Sequence, residues 1–205
     1  MKRCIIFGAG VYDNALPRIQ SGDFVIAADA GYEKCNLLGI TPDMIIGDFD
    51  SSKNVPEGKN IIKLPVHKDV TDLYAAAEEG LKNGCDEFFI YGGLGGRPDH
   101  SFANYSLIVS LAQKDKKAFL YGDNYVITAI QNGTVEINGK KGETVSVFSW
   151  TEKSEDVSYT GLEYELKNGM LERDFSLGVS NSLAATKAQI SVTNGCLLIM
   201  QENNS

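Results

Sequence analysis

The sequence predicts an α/β protein in two parts: an N-terminal open, mostly parallel α/β sheet domain, followed by a C-terminal antiparallel β-sandwich domain. In residues 1–124, short apolar segments alternate with segments of helical periodicity, which is typical of a parallel sheet covered by helices. In residues 125–205, alternating segments are separated by turns rich in Gly and Asn, and no helical pattern follows. This change of period predicts two domains, residues 1–124 and 125–205.

Five apolar segments of the first part are predicted to be buried strands. Each ends at Gly, Asp or Ala, as expected where a parallel strand leads into a polar loop. In open sheets of this kind, ligands bind beyond the carboxyl ends of the strands. The segments are RCIIFGAG (3–10), FVIAADA (24–30), DMIIGDFD (43–50), EFFIYGG (87–93) and KAFLYGD (117–123).

Three segments between these strands have a helical pattern, and one later segment predicts a hairpin. The helical segments are GYEKCNLLG (31–39), DLYAAAEEGLKNG (72–84) and SFANYSLIVSLAQK (101–114). In the second part, GTVEINGKKGETVSVFSW (133–150) consists of two alternating segments around a glycine-bounded turn. That pattern is typical of a β-hairpin.

The overall composition limits the classes of function. The 205 residues are 43% hydrophobic and 22% charged, and the net charge is −8 with a pI near 4.8. This acidic balance excludes the basic surface that nucleic acids or anionic membranes would require. The four cysteines are dispersed without a CxxC pair, so neither a zinc site nor a disulfide framework is expected. The N-terminal apolar run is too short for a signal peptide, and we expect a cytoplasmic protein.

Acidic residues lie at the ends of two predicted strands and at the start of one predicted helix. In GDFDSS (47–52), Asp48 and Asp50 point to one side of an extended chain, where two carboxylates suit a hard cation such as Mg²⁺. Asp29 ends a strand, although a helix N-cap or turn residue would look the same. Asp69 and Asp72 fit a capping box at a helix start, yet a helix start also suits phosphate oxygens.

A glycine-rich loop, YGGLGGRPDHS (91–101), is the most informative segment. Its glycines allow the backbone to approach a ligand closely, and Arg97 can donate two hydrogen bonds to a phosphate. Asp99 and His100 are expected to open the next helix. The alternative is a flexible loop with a capping aspartate. FGAGVYD (7–13) resembles a dinucleotide-binding fingerprint, but Asp13 replaces its third glycine, so we reject that interpretation.

Taken together, the acidic residues predict a metal site. So many carboxylates at one edge of a sheet are difficult to keep ionised without a divalent cation. The residues placed at this edge are Asp29, Asp48, Asp50, Asp69, Asp72 and Asp99.

These motifs resemble the thiamine pyrophosphokinase family. The family's ordered segments correspond to ADAG (28–31), GDFDS (47–51), DVTD (69–72) and GGLGGRPDH (92–100), and two weaker ones to GLEY (161–164) and VSNS (179–182). The resemblance implies transfer of a pyrophosphoryl group from ATP to the hydroxyl of thiamine, which gives thiamine diphosphate and AMP. It also implies a homodimer in which the α/β domain of one subunit and the β domain of the other form the active site.

The resemblance also implies roles for individual residues. Asp48, Asp50 and Asp72 would hold Mg²⁺, supported by Asp29 and Asp99. Either Asp69 or Asp72 would accept the thiamine proton, and these two roles stay open. The residues expected to bind ATP are Asp29, Gly92, Gly93, Gly95, Gly96, Arg97, His100 and Asn104, and those expected to take part in catalysis are Asp69, Asp72, Arg97 and Asp99.

The second domain would bind thiamine. Tyr164 would stack on the substrate, and Ser180 and Asn181 would donate or accept hydrogen bonds. Tyr164 replaces the tryptophan of many family members, and its smaller ring still offers a face to a cation. Two alternatives remain: another Mg²⁺-dependent pyrophosphokinase with a different alcohol as acceptor, and a non-catalytic regulator that binds thiamine or a nucleotide.

Overall fold

The computed structural model of the chain divides into two compact units. The first comprises Met1–Asn104 and Leu120–Asp123, and the second comprises Tyr105–Phe119 and Asn124–Ser205. The predicted domain division after residue 124 remains a prediction. The structure describes residues 1–12, 17–48, 60–65 and 69–203.

Parallel strands form the sheet of the first unit. Within it the strands lie in the order β5-β1-β2-β3-β4, and each neighbouring pair is parallel. In this register Ile5 lies opposite Val25 and Phe89, so apolar side chains of adjacent strands stack side by side. The parallel α/β sheet predicted from the sequence is confirmed. Its strands are β1 (Arg3–Phe7), β2 (Phe24–Ala28), β3 (Met44–Gly47), β4 (Ile61–Lys63) and β5 (Glu87–Tyr91).

Helices follow the strands, as predicted. They are α1 (Gly31–Leu37), α2 (Asp72–Lys82) and α3 (Pro98–Ala112). Helix α2 buries its residues at positions 73, 76, 77 and 80, a spacing that gives one apolar face. No helix in the described residues combines the length and apolar character needed to cross a bilayer.

The start of α2 differs from the capping box considered above. The Thr71 hydroxyl accepts a hydrogen bond from the backbone N–H of Tyr74 at 3.2 Å, which makes Thr71 the N-cap. Asp72 is then the first residue of the helix. A capping box with Asp69 as N-cap is therefore wrong. Asp69 and Asp72 are therefore not the N-cap and N3 residues of a capping box.

The second unit contains two antiparallel sheets, as the predicted sandwich requires. One has the strand order β12-β9-β14-β7 and the other β11-β10-β13-β8. Strand β6 (Lys117–Gly122) has residues in both units. The remaining strands are β7 (Tyr125–Gln131), β8 (Thr134–Asn138), β9 (Thr144–Ser149), β10 (Lys153–Thr160), β11 (Leu166–Glu172), β12 (Asn181–Ser182), β13 (Lys187–Ser191) and β14 (Cys196–Glu202).

The hairpin predicted for residues 133–150 is wrong. Strand β8 pairs with β13, whereas β9 pairs with β14 and β12. The chain crosses from one sheet to the other between these strands. Ile137 and Val145 consequently enter the same apolar core from different sheets. Alternation alone does not distinguish this crossover from a hairpin, because both bury every second residue.

Candidate active site

A cavity of about 860 Å³ lies at the carboxyl ends of the parallel strands of the first unit. Parallel strands bring the residues that follow them to one edge of the sheet, and the starts of α2 and α3 complete the wall. The predicted site residues that line this cavity are Asp29, Asp48, Asp69, Asp72, Gly92, Gly93, Gly95, Gly96, Arg97, His100 and Asn104. Asp50 falls outside the described residues.

Four aspartates therefore line one cavity. Asp29, which follows β2, has a backbone φ of 49°, a left-handed conformation that is uncommon for residues other than glycine. Its N–H donates to the Ile46 carbonyl at 2.7 Å, which ties the turn after β2 to strand β3. Asp48 follows β3 directly. The two adjacent strands thus bring Asp29 and Asp48 to the same cavity.

The donor set suits Mg²⁺, although the described residues contain no group of three His, Cys, Asp or Glu side chains arranged to hold a metal by themselves. Mg²⁺ usually binds through one or two carboxylates, several waters and the phosphates of a substrate. Asp48 and Asp72 line the same cavity, and their carboxylates are hard oxygen donors of the kind that this pattern uses.

The glycine-rich loop after β5 depends on glycine for two reasons. Gly92 and Gly95 have φ values of 68° and 83°, which side chains rarely adopt. A Cβ at Gly93 would come within 2.5 Å of the Leu120 side chain. The loop is also held from α3: the amide nitrogen of Asn104, a side chain that is 5% exposed, donates to the Gly93 carbonyl at 2.6 Å. This hydrogen bond from Asn104 therefore holds the glycine-rich loop in place.

Arg97 and Asp99 form an exposed ion pair at the start of α3. The guanidinium Nη2 lies 2.6 Å from Asp99 Oδ2, and Nε lies 3.2 Å from Oδ1. The hydrogen bond from Arg97 lowers the pKa of Asp99, and the same bond raises the pKa of Arg97. Arg97 lines the cavity, whereas Asp99 is not among the lining residues. In this structure Asp99 therefore holds the Arg97 side chain through two hydrogen bonds.

Ala9, Gly10 and Val11 also line the cavity, although their sequence pattern did not predict a place in the site. The N–H groups of Gly10 and Val11 donate to the carbonyls of Gly92 and Leu94 at 2.7 and 2.9 Å. A Cβ on Gly10 would lie 2.6 Å from both of those carbonyl oxygens. The glycines of FGAGVYD, rejected above as a dinucleotide fingerprint, thus permit close packing against the glycine-rich loop.

The three predicted thiamine-binding residues lie together in the second unit. Tyr164 is 72% exposed, whereas Asn181 is 7% exposed and its side chain forms hydrogen bonds with the backbone of Tyr164. Ser180 has a left-handed backbone, with a φ of 60°, and its N–H donates to the Ser146 hydroxyl at 3.1 Å. Side-chain and backbone hydrogen bonds therefore fix the segment that presents these residues.

The strand-end cavity, the glycine-rich loop and the arginine are typical of enzymes that bind nucleotide phosphates. Residues 17–120 match the family described as "Thiamin pyrophosphokinase, catalytic domain", and residues 132–197 match "Thiamin pyrophosphokinase, vitamin B1 binding domain". Since these matches cover most of the chain, it belongs to the thiamin pyrophosphokinase family. The matches favour neither of the two alternatives, a pyrophosphokinase whose acceptor is a different alcohol and a non-catalytic regulator.

Individual relatives agree with this assignment. The chain is 27% identical over 187 residues to the thiamine pyrophosphokinase of Bacillus subtilis, with 87% of each chain covered. It is 26% identical over 169 residues to thiamin pyrophosphokinase 1 of Caenorhabditis elegans, with 77% of this chain and 68% of the other covered. The crystal structure of the B. subtilis enzyme has a TM-score of 0.87 at 24% identity, with both chains fully covered. That structural likeness confirms the fold.

Proposed function

We propose that the protein transfers a pyrophosphoryl group from ATP to the hydroxyl oxygen of thiamine, yielding thiamine diphosphate and AMP. The observation that carries the proposal is the cavity of the first unit, which gathers four predicted carboxylates, the glycine-rich loop and Arg97. Thiamine as acceptor is supported by the match of residues 132–197 to a vitamin B1 binding domain.

In the proposed reaction, ATP lies along the glycine-rich loop with its phosphates towards Arg97 and the carboxylates. The thiamine oxygen forms a bond to the β-phosphorus, and the bond from that phosphorus to the oxygen shared with the α-phosphate breaks. AMP leaves with that oxygen and its electron pair. Either Asp69 or Asp72 accepts the hydroxyl proton. Arg97 binds phosphate oxygens while charge shifts towards AMP.

Asp48, Asp50 and Asp72 are the proposed Mg²⁺ ligands, and Asp29 and Asp99 support them. When bound, Mg²⁺ would neutralise phosphate charge and thereby favour attack by the alcohol. Asp99 would give its support mainly by holding Arg97, since the two side chains form a two-point ion pair. His100 and Asn104 complete the ATP site, because both line the same cavity, and Asn104 acts there through its hydrogen bond to the Gly93 carbonyl.

The proposal is tested by AMP formation from ATP and Mg²⁺, with and without thiamine, on wild type and Asp72→Asn. We expect AMP release that depends on thiamine and is lost in the variant. Thr128→Val is the matched control, since it removes a buried hydrogen bond in the second unit. Folded wild-type protein that releases no AMP in response to thiamine would refute the proposed reaction.

We also propose that the enzyme is a homodimer whose active site joins the ATP cavity of one subunit to the thiamine-binding surface of its partner. Exposed apolar side chains in the second unit support an association surface. They are Tyr164, Met170, Phe175, Leu177 and Val179. A cytoplasmic location is proposed as well, supported by the four cysteines, all of which are buried thiols.

Subunit mixing tests the shared active site. Asp72→Asn and Tyr164→Ala each damage one of its halves. In a mixed dimer with shared sites, one site carries both changes and the other carries neither, so random mixing should restore about a quarter of the wild-type activity. If each subunit held a complete site, every site would carry one defect and mixing would restore nothing.

A further inference from the structure

Asn181 makes its hydrogen bonds to the protein backbone around Tyr164. Its Oδ1 accepts from the N–H of Tyr164 at 3.0 Å and from the N–H of Ser182 at 2.9 Å. Its Nδ2 donates to the Tyr164 carbonyl at 2.7 Å. The side chain thus binds both backbone polar groups of one residue, 17 positions away in sequence.

These contacts use most of the hydrogen-bonding capacity of the amide. A side-chain amide has two lone pairs on its oxygen and two N–H donors. The two N–H groups that Oδ1 accepts match its lone pairs, and one N–H of Nδ2 is already donated. The residue is also 7% exposed. Three of the four hydrogen bonds that this amide can make are therefore used by the protein backbone, and only one N–H of Nδ2 is left for a ligand.

The backbone around Tyr164 is already tied to the segment that contains Asn181. Leu162 and Leu183 form an antiparallel bridge, and both side chains are buried. The N–H of Glu163 donates to the Ser182 carbonyl at 2.9 Å. Beyond this point the Asn181 side chain supplies the next pair of hydrogen bonds. It extends the ladder to Tyr164, a residue that nevertheless remains 72% exposed.

We infer that Asn181 is a positioning residue, which holds the backbone of Tyr164 so that its exposed ring is ready to stack on thiamine. The inference rests on the proposed function. Stacking on a cationic ring depends on the orientation of the aromatic face. A segment ordered before binding loses less conformational entropy when the ligand arrives. Asn181 would thus raise thiamine affinity through Tyr164, without contacting the substrate.

A double-mutant cycle separates this role from direct contact. Asn181→Ala removes all three hydrogen bonds and should raise the KM for thiamine about tenfold, with the KM for ATP unchanged. In a Tyr164→Ala background the same substitution should have little further effect, because residues that act through one another are not additive. A residue that contacted thiamine itself would instead weaken binding by the same factor in both backgrounds.

A second variant and a control keep the test decisive. Asn181→Leu is similar in shape, removes the same three hydrogen bonds and adds no charge near the cationic substrate; it replaces Asn181→Ala in the cycle if that variant does not fold. Asn194→Ala removes an exposed amide hydrogen bond to Glu155 in the same unit. This control should leave the KM for thiamine unchanged.

Two outcomes would overturn the inference while leaving the proposed function intact. One is an equal increase in the KM for thiamine in both backgrounds, and the other is a folded Asn181→Ala protein with wild-type KM for thiamine. If the wild type itself released no AMP in response to thiamine, the proposed function would fail, and the inference would fail with it.

Discussion

The hydrogen bond from Asn104 to the glycine-rich loop gives the sharpest test of how the loop is held. Asn104→Leu keeps the approximate shape of the side chain and removes the donor nitrogen that lies 2.6 Å from the Gly93 carbonyl, without adding a charge to the cavity. Because Asn104 is 5% exposed, water cannot readily replace the lost donor. A buried acceptor left without its partner costs about 1–3 kcal/mol, and we expect that decrease in the free energy of unfolding.

The same change should weaken ATP binding. A loop that relaxes in the free protein must be ordered again when ATP binds, so about 1–3 kcal/mol corresponds to about 5- to 150-fold lower affinity. Calorimetric titration with ATP and Mg²⁺, in the absence of thiamine, measures this affinity. Urea unfolding followed by circular dichroism measures stability.

Thr128→Val supplies the comparison. The Thr128 hydroxyl donates to the Ala118 carbonyl at 2.8 Å, and the residue is 6% exposed in the second unit. Its loss should lower stability without changing the affinity for ATP. If Asn104→Leu also lowered stability but left ATP affinity at the wild-type value, the proposed link between loop order and nucleotide binding would be refuted.

Three further substitutions address the cavity wall, the cap of α2 and the ion pair. Gly10→Ala should lower ATP turnover about tenfold or more, because two carbonyl oxygens would lie 2.6 Å from the added Cβ. Gly133→Ala is its control: the added Cβ would make one ordinary contact at 3.4 Å, so turnover should not change. Thr71→Ala should lower the free energy of unfolding by about 1 kcal/mol in urea titrations, and Thr71→Ser should restore most of it. Arg97→Gln should raise the pKa of Asp99 towards its ordinary value, since the guanidinium hydrogen bond lowers it; carbon-13 NMR titration measures this. Because that pKa is lowered, the pairing of Asp99 with Arg97 is complete above the ordinary carboxyl pKa and is lost as the pH falls through the lowered value.

Each of these expectations has a contradicting result. Equal turnover for Gly10→Ala and Gly133→Ala would show that the first-strand loop does not shape the cavity. A Thr71→Ala protein as stable as wild type would argue against the hydroxyl cap. An unchanged pKa of Asp99 in Arg97→Gln would show that the ion pair does not persist in solution.

The sequence was most informative where the fold itself brings residues together. In a parallel sheet every strand ends at the same edge, so Asp29, Asp48 and Gly92, far apart in sequence, could be assigned to one cavity. The strand segments also had a clear apolar pattern. The short strand β4 (Ile61–Lys63) did not, and it was not predicted.

Other features depend on contacts that a linear pattern does not contain. Thr71 rather than Asp69 caps α2, because the Thr71 hydroxyl is the group that accepts the N–H of Tyr74. Gly10 allows the chain to pack closely against the glycine-rich loop, which lies more than eighty residues further along the sequence. Likewise, Asn181 was expected to bind thiamine, but its hydrogen bonds to Tyr164 became evident only from the three-dimensional structure.

The fate of labelled phosphate tests the proposed reaction most directly. Wild-type enzyme would be given Mg²⁺, thiamine and ATP labelled at either the α- or the γ-phosphorus. We expect the γ label in thiamine diphosphate and the α label in AMP, because the two terminal phosphates move together in one transfer. Formation of ADP with a singly phosphorylated thiamine, or no labelled thiamine product at all, would contradict pyrophosphoryl transfer.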